Sequence, residues 1–375
     1  MPEATSGPEA GAPLGQLPRP SQQLAWGNCL GEGVEGLVSV IIPTYNRSGL
    51  LLEALASVAQ QDHRPLEIIV VDDGSTDGTP QAVAAWTDAN AAKAGLEVRL
   101  VVQPNAGAPA ARNRGVLESR GALLQFLDSD DQLTPNKIRL QVEALSRNEI
   151  ADFAYSPVRE MENPARIIYC QTEMSPRRMV LKQIVVPAFQ TASPLIRRSA
   201  MQRLGRWDEE IAPMEDWELF SRAALMGLSG AYVPEAAVLH RMDVPDRLRF
   251  GGQPERVEQY ARGRFAHLES MWAEAGSEWK SDQEFRSAMA WQLMRVAAAM
   301  VLIGWDGDDV QKYRQSERLA TGPARLWLKL VMVARAGGLR STAAHAVNLV
   351  TWVLQRMEAR LGMRACLGTW VTDGR

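Results

Sequence analysis

The chain has 375 residues and a formal net charge of −3, with 46% hydrophobic and 23% charged residues. This length supports one large domain with additions or two domains, and the small net charge gives no general attraction to nucleic acid. Cys29, Cys170 and Cys366 lie too far apart in the sequence to indicate a disulfide framework or a zinc site. We therefore expect a protein of the reducing cytoplasm that does not bind nucleic acid.

The first 37 residues carry five prolines among glycine, alanine and serine, without the basic start and apolar run of a signal peptide. Residues 1–37 are therefore predicted to form a flexible extension. The sequence has no run of about 18 apolar residues, the length that would predict a membrane-spanning helix.

Alternating strands and helices are predicted from residue 38 onwards. Apolar, β-branched runs predict buried strands, whereas apolar residues at helical spacing predict the helices between them. The strands are predicted at 38–43, 66–71, 96–102 and 123–127, and the helices at 50–58, 80–94 and 110–119. Ligands of open α/β sheets collect at the carboxyl ends of the strands. We therefore expect the polar segments that follow the strands to meet there: 44–48, 72–77, 105–113 and 128–131.

Two acidic stretches stand out. Asp128, Asp130 and Asp131 follow an apolar strand directly, and carboxylates so close together need a cation or a solvated turn. We interpret them as the site of a divalent metal that holds a diphosphate; a solvated turn is the alternative. Glu215 and Asp216 fall in the first turn of a helix predicted at 213–226, where the helix dipole favours negative charge.

The second half of the chain is less regular. We predict helices at 135–147 and 198–204 and strands at 152–158 and 190–196, and then long helices at 255–275, 283–304, 324–336 and 341–361. The change in composition near residues 251–254 indicates a boundary between a sheet domain at 38–250 and a helical region at 251–375. Packing of that region as a helical bundle is the first interpretation, and contact with a membrane surface or a partner is the alternative.

Taken together, the motifs resemble the family 2 glycosyltransferases between Val38 and His240. The resemblance lies in the order of six blocks: Pro43-Thr44-Tyr45-Asn46-Arg47, Val71–Asp77, Asn105 with Gly107, Ala111-Arg112-Asn113-x-Gly115, Leu127–Asp131 and Glu215-Asp216-Trp217. It implies a GT-A fold, in which helices flank a mixed α/β sheet. It also implies a nucleotide-sugar donor, usually a uridine diphosphate sugar, together with Mn²⁺ or Mg²⁺ and inversion at the anomeric carbon.

The resemblance also implies roles for individual residues. Tyr45 would pack on the nucleobase, Asp73 would hydrogen-bond it, and Asp216 would be the catalytic base. Asp130 would bind the metal, and Glu215 and Trp217 would lie on the acceptor side. The complete set expected to contact the donor nucleotide is Pro43, Thr44, Tyr45, Asn46, Asp73, Asn105, Arg112, Asp128 and Ser129.

One block departs from the family pattern. Members often carry Tyr-Arg-x-His, whose histidine helps to hold the metal or the diphosphate, whereas this chain has His240-Arg241-Met242-Asp243. Aligning the arginines makes Asp243 the third metal ligand, and a shifted register makes it His240. We favour Asp243 and leave both open.

Two other classes of function remain as alternatives. Another nucleotide-binding α/β enzyme, such as a nucleotidyltransferase or a dehydrogenase, is disfavoured because the first strand is not followed by G-x-G-x-x-G and the chain has no G-x-x-x-x-G-K-[ST] motif. An inactive scaffold is disfavoured by the intact acidic blocks. The acceptor would be a sugar-containing molecule, such as a cell-surface polysaccharide or glycoconjugate, reached from the cytoplasm or from the inner face of the membrane.

Overall fold

The computed structural model describes residues 24–27, 29–211, 214–242 and 254–302. Its strands are β1 (Val34–Thr44), β2 (Leu66–Asp72), β3 (Glu97–Val102), β4 (Gly121–Phe126), β5 (Gln132–Leu133), β6 (Phe153–Tyr155), β7 (Val158–Glu160), β8 (Ile167–Tyr169), β9 (Leu195–Arg197), β10 (Gly230–Tyr232) and β11 (Val238–His240). Its helices are α1 (Ser48–Ala59), α2 (Thr79–Ala94), α3 (Ala108–Glu118), α4 (Lys137–Arg147), α5 (Pro176–Val185), α6 (Arg198–Leu204), α7 (Glu215–Leu225), α8 (Pro254–Glu274), α9 (Ser277–Ser281) and α10 (Gln283–Leu302).

A seven-stranded sheet in the order β10-β6-β9-β4-β1-β2-β3 forms the centre of the fold. β1, β2, β3 and β4 are parallel, with Val38 beside Leu66 on one side and Leu123 on the other. β9 runs antiparallel to β4 and β6. The predicted mixed α/β architecture is confirmed, and the carboxyl ends of β1, β2 and β4 lie at one edge of the sheet.

Side chains of β1 alternate between two hydrophobic clusters, one on each face of the sheet. Ile41 belongs to the cluster that also contains residues of α3, α5, α7 and α8, whereas Val40 and Ile42 belong to the cluster with residues of α1, α2 and α4. Since successive strand residues point to opposite faces, a continuous apolar run fits a sheet covered by helices on both sides.

A smaller sheet in the order β5-β11-β7-β8 lies beside the main one. The single strand predicted at 152–158 is wrong in this respect: the structure has β6 in the main sheet and β7 in the small one. Pro157 separates the two and has no N–H to donate to a strand neighbour. Most of the strand predicted at 190–196 is also absent, because only Leu195–Arg197 pairs in a sheet.

The helices that follow residue 253 pack against the sheet domain. α8 contacts α7, and α10 contacts both α5 and α8. Leu268, Met271, Phe285 and Met289 join the same hydrophobic cluster as Ile41. The domain boundary at 251–254 therefore stays a prediction, whereas helices close to 255–275 and 283–304 are present. The predicted helices at 324–336 and 341–361, and residues 1–23 of the extension, lie outside the described residues. The prediction of a flexible extension is wrong for its last part, because Trp26 and Leu30 are buried in the same hydrophobic cluster and β1 begins at Val34.

The part of the chain that the structure describes contains no helix that is both long and apolar enough to cross a membrane.

Gly115 lies where α3 packs tightly against β1. A β-carbon at this position would lie 2.3 Å from Cγ2 of Ile41. We expect Gly115→Ala to lower the free energy of unfolding by about 1–3 kcal/mol, the usual cost of overpacking a tight core. Gly49→Ala on α1, where a β-carbon would meet nothing within 4 Å, is the control and should change stability by at most about 1 kcal/mol. Urea unfolding measures both, and equal effects would contradict the packing argument.

Candidate functional site

The loops after β1 and β2 are tied together at the carboxyl edge of the sheet. Asn46 adopts a left-handed backbone with φ 50°, and its side-chain oxygen accepts a hydrogen bond from the backbone N of Thr76 at 2.7 Å. Its own backbone N donates to Ser75 Oγ at 2.8 Å. Thr44 Oγ1 is buried and has no hydrogen-bond partner among the described residues. A buried hydroxyl without a partner at this edge suits a polar ligand.

Asp73 organises the loop between β3 and α3. Its carboxylate accepts hydrogen bonds from Gln103 Nε2 at 2.7 Å, from Ala106 N at 2.9 Å and from Gly107 N at 2.8 Å, and only 4% of the residue is exposed. Contact with the nucleobase therefore stays a prediction, and the structure adds a role in shaping this loop. Tyr45 is 47% exposed, as a ring that stacks on a ligand must be.

Arg112 joins the two acidic stretches. Its Nη2 donates to Asp128 Oδ1 at 2.9 Å and its Nη1 to Glu215 Oε1 at 3.1 Å, while the guanidinium lies 4.7 Å from the ring centre of Trp207. Burial alone would lower the pKa of Arg112, but the charges of Asp128 and Glu215 outweigh it and raise that pKa. Arg112 is therefore a permanent buried cation between the loop after β4 and the start of α7.

Each carboxylate of the loop after β4 has its own partners. Asp130 is almost fully buried and pairs with Arg47 Nη1 at 3.2 Å. Asp131 is fully buried and accepts from Gln190 Nε2 at 2.7 Å, while its Oδ2 lies 2.9 Å from His240 Nδ1. Burial raises the pKa of Asp131, and His240 opposes that rise. These partners let three carboxylates remain close together within a buried loop.

The donor set of this loop suits a hard divalent cation. Carboxylate oxygens such as those of Asp128 and Asp130 are the ligands that Mg²⁺ and Mn²⁺ prefer. Among the described residues, however, no three His, Cys, Asp or Glu side chains are grouped closely enough to form a metal cage. Asp243, the favoured third ligand, lies outside the described residues, and Nδ1 of the alternative, His240, faces Asp131. The residues fit a metal held by few protein ligands and completed by phosphate oxygens.

Gln190 belongs to the site, although it falls in the strand predicted at 190–196. Its Nε2 also approaches Asp128 Oδ2 at 3.3 Å, and its Oε1 accepts from Ala192 N at 2.8 Å. One amide thus links two of the three carboxylates to the segment before β9. In the sequence, the one sign of a site residue here is that the polar Gln190 directly follows the apolar Phe189.

Asp216 lies in the first turn of α7, beside Glu215. Burial, followed by the neighbouring charge of Glu215, raises the pKa of Asp216 to about 7, while Arg112 acts in the opposite direction. The backbone N of Trp217 donates to Asp216 Oδ1 at 2.7 Å. A carboxyl group with a pKa near 7 can accept a proton efficiently at neutral pH.

Trp217, expected on the acceptor side, is buried. Its indole packs against α8 and its Nε1 donates to the carbonyl of Gln183. Glu215 Oε2 is buried and has no hydrogen-bond partner within the described ranges. Contact of these two residues with an acceptor stays a prediction. For Glu215, Oε2 is the atom that would accept a hydrogen bond from an acceptor hydroxyl.

Comparison with known proteins identifies the domain that carries this site. The model of glycosyl transferase family 2 matches residues 39–205. Residues 39–205 belong to glycosyl transferase family 2. The matched segment contains the loops after β1, β2 and β4 but ends before α7. The role of Asp216 as catalytic base therefore stays a prediction, based on the motif resemblance and on the geometry described above.

Curated relatives of this family 2 domain are similar over part of the chain. An uncharacterized glycosyltransferase of Rickettsia felis is 34% identical over 131 residues, which are 35% of this chain and 21% of that protein. The succinoglycan biosynthesis protein ExoO of Rhizobium meliloti is 28% identical over 220 residues, 55% of this chain and 60% of that protein. The matches span about a fifth of the first relative and less than two thirds of the second.

Solved structures share the fold. S. aureus TarS, residues 1–349, in complex with UDP-GlcNAc superposes with a TM-score of 0.57 at 16% identity, covering 87% of this chain and 92% of that one. GalNAc-T7 with UDP, GalNAc and Mn²⁺ gives a TM-score of 0.50 at 17% identity, covering 74% of this chain and 54% of that one. Both likenesses support the GT-A fold.

Removal of the buried arginine tests its place in the site. We expect Arg112→Met to lower the free energy of unfolding by about 3–5 kcal/mol, because two partly buried carboxylates lose their counter-charge. Arg114→Met, on the same helix but in a surface pair with Glu118, should cost at most about 1 kcal/mol. Denaturant unfolding of both variants measures the difference. Equal losses would show that Arg112 does not hold the acidic stretches together.

Proposed function

We propose that this chain transfers a sugar from a nucleoside diphosphate sugar to an acceptor hydroxyl, with inversion at the anomeric carbon. One observation carries the proposal: Arg112 ties the acidic loop after β4 to Glu215, the first residue of α7, and the next residue is Asp216, a carboxyl group with a pKa of about 7. A general base is thereby linked through one side chain to the carboxylates of a diphosphate site.

The donor we propose is a uridine diphosphate sugar. Support comes from the TarS and GalNAc-T7 structures, whose bound molecules include UDP-GlcNAc and UDP. On this chain the exposed ring of Tyr45 would stack on the base, and the loop shaped by Asp73 would flank it. Asp128 and Ser129 would contact the ribose side of the nucleotide.

The reaction follows from the chain's own residues. Asp216 takes the proton of the acceptor hydroxyl, and that oxygen forms a bond to the anomeric carbon from the face opposite the leaving group. The bond between the anomeric carbon and the diphosphate oxygen breaks, and the nucleoside diphosphate leaves with the electron pair. A single displacement inverts the anomeric configuration. Arg112 holds Glu215, and with it the start of α7, beside the donor loop.

Mn²⁺ or Mg²⁺ would be held by Asp130 together with Asp128, and by Asp243 or His240 as a further ligand. Bound there, it would neutralise charge that develops on the diphosphate as the sugar leaves. The presence of Mn²⁺ in the GalNAc-T7 structure supports the metal requirement.

The acceptor we propose is a growing saccharide of a cell-surface polysaccharide or glycoconjugate. The printed name of ExoO, a succinoglycan biosynthesis protein, supports this class. The chain would work in the cytoplasm or at the inner face of the membrane, with the helices after residue 253 available for contact with a membrane or a partner.

Asp216→Asn tests the base. We expect release of UDP from UDP-N-acetylglucosamine, UDP-glucose or UDP-galactose to fall by roughly 10²-fold or more, because asparagine cannot accept the proton. UDP affinity by calorimetry should stay unchanged. In the wild type the rate should rise with pH through about 7, since only the deprotonated carboxylate is a base, and the variant should lose this dependence. Asp88→Asn, an exposed carboxylate on α2, is the control.

An unchanged rate in Asp216→Asn would remove Asp216 from the role of base. A wild-type protein that binds no UDP and releases none from the three donors, with or without Mn²⁺, would favour the scaffold alternative.

Asp130→Ala tests the metal site. We expect the Mn²⁺-dependent part of UDP binding to be lost, because the carboxylate that would ligate the metal is gone. Calorimetric titration of UDP with Mn²⁺ and with EDTA separates the two parts. Asp62→Ala, which removes a half-exposed carboxylate paired with Arg139, should behave as the wild type. Wild-type affinity in Asp130→Ala would contradict the assignment.

A further inference from the structure

Helix α8 is joined to the first half of α7 by a buried polar assembly. Arg264 and His267 of α8 are both buried, at 2% and 0% exposure. The guanidinium of Arg264 lies 3.5 Å from the ring centre of Trp217, and the His267 ring lies 5.2 Å from the same indole. Burial of a guanidinium and an imidazole is costly, so contacts that compensate for it fix a particular arrangement of the helices.

Two side chains of this assembly donate hydrogen bonds to neighbouring backbone carbonyls of α5. Arg264 Nη2 donates to the carbonyl of Ile184, and Trp217 Nε1 donates to the carbonyl of Gln183. α8 and α7 are therefore anchored side by side on the last turn of α5. The indole of Trp217 is held between this anchor and the guanidinium above it.

A hydrogen-bond chain runs from α8 to the backbone of α7. Burial, reinforced by the charge of Arg264, lowers the pKa of His267 far below its usual value, so the ring is neutral. Arg264 donates to His267 Nδ1, which leaves the hydrogen on Nε2. Nε2 then donates to Ser221 Oγ at 2.7 Å, and Ser221 Oγ donates to the carbonyl of Trp217 at 2.7 Å.

Trp217 is the residue next to Asp216, and its backbone N donates to the Asp216 carboxylate at 2.7 Å. The indole of Trp217 is thus fixed by contacts with α5 and α8, and its carbonyl is fixed by Ser221 of α7, which is itself hydrogen-bonded to His267 of α8. We propose that Arg264 and His267 are positioning residues that set the Asp216 carboxylate through Trp217, and that α8 is therefore part of the machinery that orients the base. The description of Asp216 as a base rests on the proposed function; the fixing of the first turn of α7 does not.

The chain offers a matched control for Arg264. Arg177 of α5 also links the sheet domain to the C-terminal helices: it pairs with Asp282 at 2.7 Å and Glu284 at 2.9 Å and lies 5.8 Å from the Trp279 ring centre. This arginine is half-exposed, and these three partners lie on or between α9 and α10. Arg177→Met therefore removes an arginine–tryptophan contact between helices without touching the start of α7.

The experiment compares Arg264→Met with Arg177→Met in the full chain. Hydrogen–deuterium exchange of the peptide covering residues 214–218 should become about tenfold faster in Arg264→Met, because local opening of the turn becomes easier, and stay at the wild-type rate in Arg177→Met. Release of UDP from a UDP-sugar that the wild type hydrolyses should fall about tenfold in kcat, as for a misplaced catalytic group, with UDP affinity unchanged. Arg264→Lys, which keeps the charge over the indole, should recover part of both.

Equal exchange of residues 214–218 in Arg264→Met and Arg177→Met would overturn the inference, whatever the activity. Faster exchange together with a wild type that neither binds UDP nor releases it would overturn the proposed function alone. If Arg264→Met does not fold, Ser221→Ala removes only the hydroxyl link. Its peptide should also exchange faster than in the wild type, and an unchanged rate would overturn the inference.

Discussion

The site depends on one buried positive charge. The side chain of Arg112 extends from α3 at the carboxyl edge of the sheet. Its charge neutralises Asp128 on one side and Glu215 on the other. Without it, two partly buried carboxylates would face each other and Asp216 with no counter-charge, an arrangement that costs several kcal/mol. The loop after β4 and the start of α7 can therefore lie together only because α3 places a guanidinium between them. The parallel sheet supplies that placement, since β3, the strand before α3, and β4 end at the same edge of the sheet.

The carboxylates on the two sides of Arg112 differ in their partners. In the loop after β4, Arg47, Gln190 and His240 each stand beside a carboxylate, which allows three acidic residues to remain within a compact turn. At the start of α7 the dominant effect on Asp216 is burial itself, and the pKa rises to about 7. The carboxylates of the loop after β4 are thus suited to bind a cation, and the Asp216 carboxylate is suited to accept a proton.

The periodicity of the sequence was sufficient for the four parallel strands and four helices between residues 38 and 147, because buried strands and helices have distinct patterns, but it did not predict the two-residue strand β5. Periodicity does not predict contacts between residues that are far apart in the sequence. Arg112 and Glu215, for example, are 103 positions apart. Gln190 was not predicted as a site residue because no motif surrounds it. Its role depends on the path of the segment before β9, which brings its side chain to Asp128 and Asp131. Contact of Trp217 with an acceptor stays a prediction. Its indole also attaches α7 to α5 and α8, and the periodicity of the sequence does not reveal such contacts between separate helices.

A crystal structure of the full chain grown with UDP-N-acetylglucosamine and Mn²⁺ would show where the nucleotide and the metal bind. We expect a diphosphate and a metal beside Asp128 and Asp130, with Arg112 still joining Asp128 to Glu215 and the Asp216 carboxylate on the side of the anomeric carbon opposite the diphosphate. A nucleotide bound away from the loop after β4, or a metal that contacts neither Asp128 nor Asp130, would contradict this expectation.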